Sequence, residues 1–230
     1  LYTASYWDNS VAVFDRNSKN GALRFLEFHK DGVDGVDGLD GLYAVTVSPD
    51  GKNVYASSWR DAAVTVFSRN KNTGRLNFIE VHKYGVHGLE GLNAAVSVTV
   101  SPEGKHVYVA GYRDNSVTVF KRNSDTGSLS FVEVHKDGFG GVDGLYRAVH
   151  VVMDSEGKQL YVAGFWDSAI AVFNRDEVTG KLRFVRVYKN GIEGITGIEG
   201  PWHVSLSPDG KHLYVAGFLE DAVAVFEVSK

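Results

Sequence analysis

The 230 residues are 43% hydrophobic, enough for one sizeable all-β domain and without an apolar run long enough to cross a membrane. Twenty-four basic and 28 acidic residues leave a net charge of −4 and no basic stripe, which excludes nucleic acid as an expected partner. The absence of cysteine excludes a disulfide frame, a thiolate metal site and a thiol nucleophile. It suits a cytosolic, periplasmic or secreted protein alike; a secreted or periplasmic home is expected ahead of a cytosolic one.

The chain opens on Leu1-Tyr2, already inside a repeat whose later copies read Val54-Tyr55, Val107-Tyr108, Leu160-Tyr161 and Leu213-Tyr214. Val-Phe pairs ending at Phe14, Phe67, Phe120, Phe173 and Phe226 keep the same interval of 53 residues, as do Gly21, Gly74, Gly127 and Gly180. A period this long, filled with strand-like segments, predicts a ring or array of small sheets. Residues 1–18 and 213–230 are the same part of the repeat, so the chain reads as processed or trimmed, with part of a longer protein expected beyond it.

The second copy gives the predicted elements in order. Ala44 to Ser48 alternates and is β-branched, a strand. Pro49-Asp50-Gly51-Lys52 is a tight turn, with proline presetting φ and glycine taking the positive-φ place. Asn53 to Ser57 is a second strand and Trp59-Arg60-Asp61 a short polar connection. Ala63 to Ser68 is a third strand, Lys71 to Gly74 turns the chain, and Arg75 to Lys83 is a fourth. A glycine-rich return, Gly85 to Leu92, leads to the next copy. The third strand is apolar on both faces, Val64 and Val66 on one and Thr65 and Phe67 on the other, as blades stacked around an axis require. The expected fold is an all-β propeller of four-stranded antiparallel blades occupying residues 1–230 as one domain. It has about five blade positions and 18 strands, the first blade lacking its inner strand and the last its outer one. Such a chain is either an imperfect five-bladed ring or a portion of a larger one; an open array leaves two apolar blade faces exposed, a site for association.

The string Ser-Pro-Asp-Gly-Lys-x-Leu-Tyr-Val-Ala at Ser207 to Ala216 has close variants at Ser48 to Ala56 and Ser101 to Ala110. The segment Val-Phe-x-Arg…Thr-Gly-x-Leu-x-Phe recurs at Val66 to Phe78, Val119 to Phe131 and Val172 to Phe184. These motifs resemble the lactonase-type propellers, the 6-phosphogluconolactonase-like family. The resemblance covers the whole chain and implies a propeller, usually of seven blades. Seven units would need about 371 residues, so this chain departs from the family in length. The motifs are turns and strand cores and bring no catalytic constellation with them.

Three features carry candidate chemistry. An aromatic-charged cluster recurs in the turns of one propeller face: Trp7-Asp8, Trp59-Arg60-Asp61, Tyr112-Arg113-Asp114 and Trp166-Asp167, with Trp202 nearby. Flat rings suit sugars or other ring-bearing ligands, and Asp and Arg give directional hydrogen bonds; alternatively Asp caps its turn and the aromatic closes the blade end. Glycine at every third residue marks the returns, with Asp34, Asp37 and Asp40 between the first glycines. Calcium is one reading of these acids, ranked behind a structural return built on positive φ. Finally, one inner-strand position reads Ala44, Ser97, His150 and His203. Two imidazoles facing one channel can ligate a metal or serve as acid and base, although hydrogen-bonded channel histidines without chemistry rank first. The regular recurrence of His29, His82 and His135 marks a blade-building role, and a structural ion pair or stem packing accounts for the arginines after each Val-Phe pair.

Three functions follow in order. The first is a non-enzymatic binding propeller for a glycan, small molecule or protein. The second is an assembly module, with homo-oligomerisation through the incomplete terminal blades. The third, implied only by the resemblance, is a lactone hydrolase with His150 and His203 as its catalytic candidates. No cofactor is expected beyond calcium or a channel-bound metal.

Overall fold

The computed structural model describes residues 1–228. The chain forms five successive antiparallel sheets. The first holds β1 (Tyr2–Ser5), β2 (Ser10–Arg16) and β3 (Leu23–Lys30). The second holds β4 (Leu42–Val47), β5 (Asn53–Ser58), β6 (Ala63–Arg69) and β7 (Leu76–Lys83). The third holds β8 (Ala95–Val100), β9 (His106–Gly111), β10 (Ser116–Arg122) and β11 (Leu129–Lys136). The fourth holds β12 (Ala148–Met153), β13 (Gln159–Gly164), β14 (Ala169–Arg175) and β15 (Leu182–Lys189). The fifth holds β16 (Pro201–Leu206), β17 (His212–Gly217) and β18 (Ala222–Glu227). One 3-10 turn, Val86–Gly88, interrupts the strands among the described residues. The strand order and the incomplete outer blades are those the repeat predicts; residues 229 and 230 of the last copy lie outside the described residues.

Each of the three inner sheets buries both faces between its neighbours. Ala63 to Phe67 of β6 are all buried. Phe67 packs toward the first sheet with Val11 and Val13, while Val64 and Val66 pack toward the third with Val98, Val109 and Phe120. The pattern advances one blade at a time: Phe173 meets Val117 and Val119, and Val215 meets Ile170 and Val172. Each fully buried Val or Phe contributes about 1.5–3 kcal/mol, so the stack is held chiefly by this alternation of aromatic and β-branched faces. The two end sheets keep the pattern without a neighbour. Phe25 and Phe28 are 53% and 57% exposed at one end, and Val223 and Val225 are 69% and 57% exposed at the other.

A polar key crosses three of the four junctions. In the second junction the Arg122 Nε donates to Tyr55 Oη at 2.7 Å, and Nη1 to the Gly104 carbonyl at 2.8 Å. Its Nη2 reaches Asp50 Oδ2 at 2.9 Å and Asn53 Oδ1 at 2.7 Å. Tyr55 Oη then donates to the Gly127 carbonyl of the next blade at 2.8 Å. Arg69 with Tyr2, and Arg175 with Tyr108 and Glu103, repeat the arrangement. Every nitrogen of the buried Arg122 guanidinium is thus hydrogen-bonded, the condition under which a buried charge is tolerated. Burial alone would raise the Asp50 pKa, but hydrogen bonds from Ser48, Lys52 and Arg122 hold it at about 2. Burial pushes the Tyr55 phenol up to about 12, so it stays a neutral donor.

The glycine returns are structural at their third glycine. The Gly91 carbonyl accepts from Ser116 Oγ at 3.0 Å and Thr118 Oγ1 at 2.9 Å. Its φ is +87°, and a Cβ there would lie 2.2 Å from Thr118 Oγ1 and 2.5 Å from Val134 Cγ2. Only glycine meets both demands.

Removing the key guanidinium strands its buried partners. Arg122→Ala is expected to lower unfolding free energy by about 3 kcal/mol, read as a drop in the urea midpoint. Asp50 has a folded pKa below its ordinary 3.8, so its contribution is present above that pH and is lost as pH falls toward 2. Asp50→Asn should flatten the acid limb of the stability curve between pH 4 and pH 2, relative to the parent protein, when midpoints are measured across that window.

Candidate functional site

The inner strands β4, β8, β12 and β16 pack successively against one another around the axis. Their equivalent positions are Ala44, Ser97, His150 and His203. Ser97 is buried, and its Oγ accepts from the Val151 N–H of the next inner strand at 3.2 Å, a structural link between blades. His150 and His203 lie face against face, with ring centroids 3.9 Å apart and planes tilted by 37°. Their burial differs, His150 being half-buried and His203 exposed. His150 Nδ1 is buried without a protein hydrogen-bond partner. Burial, and then the neighbouring His203, push the His150 pKa down to about 4, so the ring is neutral at pH 7.

Arg147, at the entry to β12, sits in the left-handed region with φ 58°. The other copies place Gly41, Ala94 and Gly200 there, with φ between 55° and 67°. A long side chain in this conformation is uncommon and costs backbone strain. Its guanidinium lies over Tyr112 at 4.9 Å and Tyr146 at 5.8 Å, and its Nε is buried with no protein partner.

The turn aromatics form a band across this same end of the blades, because β5 ends where β4 begins, Ser58 opposite Leu42. Trp7 meets Tyr6 at 5.0 Å, Tyr6 meets Tyr43 at 6.3 Å, Tyr43 meets Trp59 at 6.4 Å, and Trp59 meets Tyr112 at 4.8 Å. Beyond Arg147, Phe165 contacts Trp202 at 5.4 Å and Trp166 at 5.0 Å, and Trp202 contacts Phe218 at 5.9 Å. Arg60 lies over Tyr6 and Trp7, and Arg113 over Trp59, at 4.9, 5.2 and 5.5 Å. Trp7 is 80% exposed, Trp166 55% and Trp202 43%. Sequence spacing picks out the turn rings but misses Tyr43 and Tyr146. Tyr43 stands in the inner strand, where the next two copies hold Val96 and Val149, and Tyr146 in the return loop, where the two preceding copies hold Asp40 and Asn93. Comparing the copies position by position exposes both.

Three of the four cluster acids turn to backbone. Asp61 Oδ2 accepts from Asp40 N–H at 2.9 Å, Asp114 Oδ2 from Gly91 N–H at 2.7 Å, and Asp167 Oδ2 from Tyr146 N–H at 2.9 Å. Asp8 accepts from Ser5 Oγ at 3.0 Å. Asp34, Asp37 and Asp40 do not converge. Asp40 pairs with Arg60 at 3.4 Å and Asp34 is exposed. Asp37 instead lies with Asp31 and Asp61, their ligand atoms within 4.8 Å; Asp137, Asp143 and Asp167 form a matching group. A lysine already enters each group. Lys83 Nζ donates to Asp37 at 2.7 Å and to Asp61 at 3.0 Å, and Lys189 Nζ to Asp143 at 2.8 Å. Burial, opposed by the Tyr146 amide, raises the Asp167 pKa.

The geometry is that of a β-propeller with one chemically distinct sector, around β12 and β16. Residues 1–137 and 147–230 match the family described as "Lactonase, 7-bladed beta-propeller", and the chain belongs to that family. A 6-phosphogluconolactonase of Klebsiella pneumoniae is 25% identical over 170 residues, 72% of this chain and 50% of that protein. A 6-phosphogluconolactonase of Formosa agariphila is 32% identical over 88 residues, 37% of this chain and 23% of that protein. The crystal structure of a protein described as a 6-phosphogluconolactonase from Bacteroides uniformis superposes with a TM-score of 0.79 at 21% identity, covering 100% of this chain and 64% of the other. The periplasmic gluconolactonase of Pseudomonas aeruginosa gives 0.72 at 22% identity, with 96% and 60% covered. The chain thus spans about half the length of the Klebsiella relative and under two thirds of these solved structures.

His203→Ala removes a neighbouring charge and part of the burial at once. The His150 pKa should therefore rise from about 4 toward its ordinary value in that variant, read from imidazole chemical shifts across a pH titration.

Proposed function

We propose that this chain carries the chemistry of a lactone hydrolase, acting on a phosphorylated sugar lactone of the kind its relatives' name denotes. The supporting observation is the stacked pair itself: a neutral imidazole with an unpartnered Nδ1, beside a second imidazole and three residues from a guanidinium. In the proposed step the oxygen of water joins the lactone carbonyl carbon as its proton passes to His150. The ring carbon–oxygen bond then breaks, and the departing alkoxide takes that proton to give the open hydroxy acid. Arg147 faces the carbonyl oxyanion or the substrate's phosphate, a role its buried Nε and aromatic seat suit. A base with a pKa near 4 is weak, but a bound anion beside it raises that value and so strengthens it as substrate arrives. The aromatic band supplies the platform for the sugar ring.

Hydrolysis of 6-phosphogluconolactone, followed by proton release, is the direct test. His150→Ala should lower kcat/KM by about 100-fold or more, and Arg147→Met should lower it too, through kcat where the guanidinium faces the oxyanion and through KM where it holds the phosphate. Clean protein with no turnover, or with a His150→Ala variant as fast as the parent, overturns the reading. A second reading, binding without turnover, is favoured by the continuity of the rings from Trp7 to Tyr112. It is separated by the same material: sugar ligands would quench tryptophan fluorescence with Kd weakened about tenfold or more in Trp59→Ala, while lactone is left intact.

A further inference from the structure

The fourth junction, between the fourth and fifth sheets, lacks its arginine. Val228 holds the backbone place: its N–H donates to the Lys211 carbonyl at 2.8 Å, as Arg69, Arg122 and Arg175 donate to Lys52, Lys105 and Lys158 at 2.7, 2.7 and 2.8 Å. The groups that receive the guanidinium elsewhere are retained. Tyr161 stands where Tyr2, Tyr55 and Tyr108 stand, and the Gly210 carbonyl where those of Gly51, Gly104 and Gly157 stand. Glu156 replaces Asp50 and Glu103, and Gln159 replaces Asn53 and His106.

With valine in place of arginine, the described residues leave the junction hollow. A cavity of about 450 Å³ is lined by Asp154, Glu156, Gln159, Glu177, Asp209 and Val228 among others. That volume lies within the range of small-ligand pockets, roughly 300–1,000 Å³. A smaller hollow of about 50 Å³ shares Gln159 and Val228 and reaches Tyr161. Tyr161 Oη donates to Gln159 Oε1 at 2.6 Å, spending the hydrogen that Tyr55 and Tyr108 give to the Gly127 and Gly180 carbonyls, and that bond does not use the acceptor role that meets an arginine Nε in the sibling junctions. Glu156 pairs with Lys158 at 2.9 Å on the exposed rim of the cavity, and an exposed ion pair of this kind contributes little. Arg175, which also lines the cavity, is committed to the third junction. The cleft is at the far end of the blades from the histidine pair, since Asp154 to Lys158 is the turn that follows β12.

We propose that this cleft binds a small guanidinium compound, its planar group taking the place that the arginine side chain takes in the sibling junctions. One N–H reaches Tyr161 Oη, another the Gly210 carbonyl, and the outer edge faces Glu156. The carboxylates of Asp154, Glu177 and Asp209 around the mouth favour a second positive centre on the ligand. This fork of donors is what a guanidinium presents and an ammonium does not.

Calorimetric titration of the intact chain with agmatine, and with 1,4-diaminobutane as a dication of similar stem, tests the assignment. Agmatine should bind one to one, at least tenfold tighter than the diamine, and Glu156→Gln should weaken it tenfold or more. Val228→Arg should abolish binding and raise Tm, because the chain then supplies its own guanidinium. Agmatine binding no better than the diamine, or unchanged in a folded Val228→Arg or Glu156→Gln protein, overturns the proposal; should Val228→Arg fail to fold, Glu156→Gln decides alone.

Discussion

The structure rests on one interaction used three times: an arginine whose guanidinium binds the tyrosine of the preceding blade and a backbone carbonyl of its own blade, joined in two of the three by a carboxylate. Hydrophobic burial between blades is larger in sum but non-directional, and would permit the wedges to slide. The guanidinium fork does not, because its three nitrogens meet acceptors fixed on two different sheets. Tyr55 and Tyr108 are wholly buried with their hydroxyls spent on this key, which is why the interval of 53 residues holds so strictly there.

Against that regularity, chemistry resides where the copies disagree. On the inner strands, alanine and serine give way to His150 and His203. At the strand entry, glycine or alanine gives way to a strained Arg147. At the opposite end, arginine gives way to Val228, and in β15 the glutamate that receives a backbone amide in three blades gives way to Arg186. All these departures fall in the fourth and fifth sheets, so a nearly symmetric scaffold carries an asymmetric sector.

Much of this was legible in the sequence because its causes are local. Alternation in Ala63 to Phe67 fixed a strand buried on both faces, and Asp50-Gly51 fixed the turn. Residues His150 and His203 stood out as soon as the copies were aligned. The ring contact between them did not, since it depends on how closely β12 and β16 approach at the axis. How the acids group was hidden for a related reason. Asp34, Asp37 and Asp40 are close in sequence, but the positive-φ return splays them, and Asp37 finds Asp61 and Lys83 across the blade instead. The arginine key was visible only as two separate periodicities; that they meet requires knowing that one blade's tyrosine faces the next blade's third strand.

The end sheets are unlike one another, and this sets a polarity. At every internal junction the phenylalanine side of one wedge rests on the valine side of the wedge before it. The free face of the first sheet is the phenylalanine side and that of the fifth the valine side. Two chains meeting about a twofold axis would oppose like with like and forfeit the fit. Whatever extends this stack by the same packing must do so in one sense only, head to tail, as a thread has one hand.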